Sequence, residues 1–134
     1  MRYGVCIYMK SFPQEKSLAP RCFLPINNLF PNPLGGTMNF EEYLKSIDND
    51  SPSSQLSETL TSLWWDKKGN WDTAHTIAQN IPTKEGSAVH AYLHREEGVL
   101  WNADYWYSRA GRKRPNIPLL EEWKLLVEEM LGLP

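Results

Sequence analysis

Three histidines carry the residue type and spacing in this chain that could do chemistry, and all three fall between residues 75 and 94. His90 and His94 stand four residues apart, so on a helix they share one face. Glu97 continues that stripe three residues beyond His94. His75 lies upstream, with Asp72 at i−3 and Gln79 at i+4 on a second polar stripe. On consecutive helices packed antiparallel, the two stripes face each other. Three imidazoles and a carboxylate are a ligand set for zinc or another divalent metal. An i, i+4 histidine pair is also the geometry of the H-E-x-x-H helix. Here the intervening residues are Ala91, Tyr92 and Leu93, so that motif's catalytic glutamate is absent. The competing structural reading is a set of partly buried histidines hydrogen-bonded to Asp72, Glu97 or Tyr105.

A second group of polar residues sits among aromatics in "HAYLHREEGVLWNADYWYSRAG", residues 90–111. At helical spacing Leu100, Ala103, Trp106, Tyr107 and Ala110 form a packing face. Trp101, Asn102, Tyr105 and Arg109 gather on another side. Polar groups converging beside aromatics line small-molecule pockets. Trp101 and Tyr105 offer stacking surfaces, and Arg95 or Arg109 offers a bidentate grip on an anion. The candidate pocket is therefore His75, His90, His94, Arg95, Trp101, Asn102, Tyr105 and Arg109, with His75, His90 and His94 as the metal-ligand candidates.

Other chemistries find no support. There is no G-x-S-x-G elbow and no phosphate-binding glycine loop. Cys6 and Cys22 lie far from the histidines in sequence. A cytoplasmic location, which the lack of a signal-peptide pattern at the N-terminus favours, keeps them reduced. The run "RAGRKRP" (Arg109, Arg112, Lys113, Arg114) is expected to neutralise a helix C-terminus and to pair with Glu121, Glu122, Glu128 and Glu129. A net charge of −2 argues against a nucleic-acid binder, and no apolar run reaches membrane-spanning length.

These residues need helices to position them. From residue 39 onward the punctuation predicts six: 39–48 with Asn39 as cap; 53–67 with Ser51 as cap and Pro52 opening it; 71–81 capped by Asn70; 84–97 between Thr83 and Gly98; 99–110; and 118–131 opened by Pro118. Leu119, Leu120, Trp123, Leu126, Val127, Met130 and Leu131 form the last helix's core stripe. No segment beyond residue 38 reads as a strand, so the fold class is all-α.

The chain echoes itself. Gly69, Ala74, Ala78 and Ile81 align with Gly98, Ala103, Tyr107 and Ala110 at an offset of 29 residues. With Pro115, the second copy resembles the tetratricopeptide repeat in its glycine, small, aromatic, small and proline positions. The first helix of that repeat lacks its tryptophan-leucine-glycine signature here. The resemblance implies stacked helical hairpins. "WDTAHTIAQ", "HAYLHREEG" and "NADYWYSRAG" together resemble an uncharacterised family of small helical proteins from bacteria and fungi. That family commonly reads Glu-Gly-Asp where this chain has Glu97-Gly98-Val99. The resemblance implies a fold and a shared site, without a chemistry.

With 134 residues, 41% hydrophobic and 22% charged, the chain has the size of one domain with one core. Residues 1–37 differ from the rest. They hold five of the ten prolines, both cysteines, no tryptophan and no histidine. Four basic residues against one acidic give them +3, while ten basic against fifteen acidic give 38–134 a charge of −5. They are expected to be an irregular, poorly ordered N-terminal arm, or a translated leader ahead of a natural start at Met38. Residues 38–134 are expected to be a single all-α domain. The repeat-like echo suggests a binding or interaction module for a protein or small polar ligand. The alternative is a metal- or histidine-dependent hydrolase or isomerase. No cofactor is expected beyond a divalent metal such as zinc.

Overall fold

The computed structural model describes residues 38–133, so the expectations for residues 1–37 lie outside the described residues. Asn39–Pro134 forms one compact unit. Its regular structure is α-helix throughout: α1 Phe40–Ser46, α2 Glu58–Lys67, α3 Trp71–Gln79, α4 Lys84–Glu97, α5 Leu100–Arg109 and α6 Leu119–Met130. The all-α expectation holds for the described residues. None of these helices is long and apolar enough to cross a membrane.

Side-chain caps set the helix starts. Asn39 accepts the Glu42 N–H at 2.9 Å while the Glu42 carboxylate accepts the Asn39 N–H at 2.9 Å, a reciprocal capping box. Asn70 caps α3 through the Thr73 N–H and Thr83 caps α4 through the Gly86 N–H, each at 3.1 Å. The second helix begins at Glu58 rather than near residue 53. Ser57, not Ser51, provides the cap by accepting the Leu60 N–H, and residues 53–56 close a separate turn through Leu56 N–H to Ser53 O. Pro118 stands at the cap of α6 rather than in its first turn.

α4 is the central helix, with every residue from Gly86 to His94 buried. α2 packs on α3, α3 on α4 and α4 on α5; α6 returns to pack on α2 and α4. α3 and α5 thus flank α4 rather than each other. The tightest approach lies at the α3–α4 turn. A methyl group on Gly86 would come within 2.5 Å of the Ile81 side chain and 2.6 Å of its carbonyl oxygen, so only glycine fits. Gly98, in the left-handed conformation at φ 93°, ends α4 and turns the chain back onto it.

The α1–α2–α6 side is an aromatic core of Tyr43, Leu63, Trp64, Trp123 and Val127, all at most 2% exposed. Leu120, expected in the core stripe of α6, is 63% exposed instead. The inward position beside it belongs to Glu122, which is buried where it meets Arg95 and Tyr107.

Candidate metal centre

The two histidines of α4 point their Nε2 atoms at the Nε2 of His75 from α3. His90 lies 2.9 Å from His75 and 3.1 Å from His94, and His75 lies 3.4 Å from His94. Three points at those separations are each about 1.8 Å from a common centre. A cation at the ~2.0–2.1 Å zinc–nitrogen distance would therefore reach all three nitrogens at once. Among the described residues, no other group of three histidine, cysteine or acidic side chains converges in this way.

Proton counting explains why hydrogen bonds alone cannot satisfy this triangle. A neutral imidazole Nε2 carries either a proton or a lone pair. With three such atoms in mutual contact, at least two are in the same state. One edge of the triangle is then donor against donor or lone pair against lone pair. A cation takes all three lone pairs and removes the conflict.

The surroundings favour the neutral forms of His75 and His90. Burial, then the neighbouring His75 and His94, push the His90 pKa down to about 3. Burial and His94 also lower His75, against the opposing pull of Glu97 and Asp72. These two rings are therefore neutral at neutral pH, the state a metal ligand requires. The Glu97 carboxylate accepts the Nδ1–H of His94 at 3.0 Å, which fixes that ring's tautomer and leaves its Nε2 as a lone pair. The Asn102 amide approaches the same Nε2 at 3.1 Å. Two indoles brace the rings. Trp71 stacks on His75 with centroids 4.8 Å apart and an angle of 16°, and Trp106 lies 4.1 Å from His90. Trp71 is itself tied to α4 by donating to the Leu93 carbonyl. One feature opposes metal binding. The buried Nδ1 of His90 has no hydrogen-bond partner, so moving that ring's proton to Nδ1 costs about 1–3 kcal/mol.

The other candidate pocket residues separate. Asn102 joins the histidines. Arg95 turns to the other side of α4, where it bonds Glu122 and the Ile117 carbonyl, both at 2.5 Å. Trp101, Tyr105 and Arg109 lie on the solvent face of α5, with the Arg109 guanidinium over the Tyr105 and Trp106 rings. Tyr105 bonds Arg109 at 3.3 Å. Of the expected pairing between the basic run and α6, Arg112–Glu129 forms, while Arg114 pairs with Asp104. A surface cavity of about 400 Å³ beside Arg95 and Arg114 and one of about 390 Å³ beside Tyr107 and Glu122 are not lined by the histidines. Trp71 stands four residues before His75 on the same helix face, a spacing already present in the sequence.

The chain matches no protein-family model, no curated protein and no solved structure.

Proposed function

We propose that this protein binds one divalent transition-metal ion, zinc foremost, through His75, His90 and His94. The convergence of the three Nε2 atoms within 3.4 Å carries the reading. The donor set contains nitrogen and no thiolate, which suits zinc, copper and nickel over magnesium or calcium. Three protein ligands are the complement of a catalytic zinc site, whereas structural zinc sites close with four. The centre therefore supports a metal-dependent hydrolase or isomerase acting on a small polar substrate, with the cation as Lewis acid. The test is elemental analysis of untagged protein, expected to give one metal per chain and none for His75→Ala. Protein that is metal-free as purified and takes up no zinc, copper or nickel by calorimetry would end this reading.

A second reading rests on α5. Trp101 is 76% exposed and Tyr105 52%, beside Arg109, a composition found at protein interfaces. Together with the tetratricopeptide-like spacing, it supports an interaction module. If it holds, Trp101→Ala abolishes capture of a partner from the native host while leaving metal content unchanged.

A further inference from the structure

Three ligands leave one side of a four-coordinate cation uncommitted, and the neighbouring residues constrain what reaches it. We infer that this fourth position is open to a small exogenous anion, and that the Asn102 carboxamide holds the anion by a hydrogen bond. The inference rests on the metal reading above.

Glu97 is the nearest carboxylate to the cluster by hydrogen bonding, but it is committed elsewhere. It accepts from His94 Nδ1, on the opposite edge of the imidazole from Nε2, and in that position it orients the ring rather than ligating the metal. No other histidine, cysteine or acidic side chain among the described residues belongs to the cluster.

Asn102 stands on the correct edge. Its Nδ2 lies 3.1 Å from His94 Nε2, beside the point where a cation bound by the three Nε2 atoms would sit. Once a metal takes the His94 lone pair, that N–H loses its acceptor and is left aimed at the coordination sphere. An anion bound to the metal restores the acceptor. The competing arrangement turns the amide over and uses Oδ1 as fourth ligand. A nitrogen-rich site favouring zinc or copper gains less from an amide carbonyl, a donor that suits magnesium, calcium and manganese. Three neutral imidazoles also leave both charges of a divalent cation at the centre, which favours an anion.

Burial marks the accessible side of the cluster. α3 and α5 each pack against α4. His90 and His94 are buried, while His75 on α3 and Asn102 on α5 are half-buried. The side toward those two residues is therefore the one nearest solvent.

The experiment loads the full chain with Co2+ and follows its visible absorption during titration with azide. The expected result is a saturable spectral change. Asn102→Ala retains Co2+ but weakens azide binding by about tenfold or more, the loss of one hydrogen bond to a charged group. Asn102→Asp retains Co2+ and loses the azide response, because its carboxylate takes the fourth position. A bound Co2+ whose spectrum ignores azide overturns the open position while leaving the metal reading intact. An azide response unchanged by Asn102→Ala overturns the role of Asn102. Failure to bind Co2+, Zn2+ or Cu2+ removes the metal reading, and this inference with it.

Discussion

The aromatic core between α1, α2 and α6 and the histidine cluster between α3, α4 and α5 both bury polar atoms among rings, and they handle those atoms in opposite ways. In the aromatic core each polar tip has a partner of its own. The Tyr43 hydroxyl donates to the Leu60 carbonyl at 2.6 Å, Trp123 Nε1 to the Leu63 carbonyl at 3.2 Å and Trp64 Nε1 to Ser46 Oγ at 3.0 Å. Ser62 nearby donates to the Ala74 carbonyl at 2.7 Å. In the histidine cluster three nitrogens compete for one point and His90 Nδ1 has no partner. Buried polar groups are normally satisfied, because leaving one unpaired costs about 1–3 kcal/mol. The convergence of three Nε2 atoms is what the metal reading explains, whereas the unpartnered Nδ1 of His90 is a cost that a metal at Nε2 leaves in place.

Five outcomes test that contrast. The largest is metal stabilisation. Zinc at a thousandfold excess over its dissociation constant adds about 4 kcal/mol to folding stability, read as a raised melting temperature. The same salt leaves His90→Ala unmoved, and a chelator reverses the shift. Next is Gly86→Ala, which pushes a methyl into the Ile81 carbonyl at the α3–α4 turn. It should cost about 1–3 kcal/mol in denaturant unfolding and also weaken zinc binding, since that turn sets His75 against His90 and His94. A variant that lost stability but kept zinc affinity would separate the turn from the site.

Glu97→Gln should weaken zinc binding about 10- to 100-fold by calorimetry with folding nearly unchanged, because the carboxylate acts through the His94 ring. Acidification of the metal-free protein gives a graded effect. His90 is pushed from its ordinary 6.5 to about 3, and His75 is lowered as well. The unfolded chain therefore takes up these protons first. Stability is full above pH 6.5 and falls as the pH drops toward 3, where His90 takes up its proton in the folded chain, with His75 acting in the same direction. A flat stability profile between pH 6.5 and 4 would contradict this. The smallest effect belongs to the satisfied core. Tyr43→Phe removes the second hydrogen bond to the Leu60 carbonyl and costs about 1 kcal/mol, without touching metal content.

Much of this was legible in the linear chain because it is local. Asn39, Asn70 and Thr83 cap the helices they precede, and Gly98 ends α4, since capping depends on residues within one turn. The choice of Ser57 over Ser51 was not legible. Two serines offer the same cap chemistry, and the decision rests on whether residues 53–56 coil as a helix or close a turn. Leu120 and Glu122 likewise exchange their expected environments, because Arg95 and Tyr107 arrive from other helices to neutralise the carboxylate. The His90–His94–Glu97 stripe was readable from helical spacing. His75 was an associate only on the condition that α3 and α4 pack antiparallel.

By itself, then, the sequence determined the elements: six helices from residue 39 onward, three of them with their side-chain caps, and two polar stripes at helical period. The tertiary structure decided which candidates share a site. It sends Asn102 to the histidines and Arg95 to Glu122, though both lie near the same helix turn-back. It also leaves Trp101 and Tyr105 in solvent. The physical reason is that helical period fixes a side chain's direction about its own axis, whereas coordination geometry depends on sub-ångström approach between axes. That approach is set by packing such as the contact of Gly86 with Ile81, where a missing methyl group in one turn fixes the position of an imidazole in another.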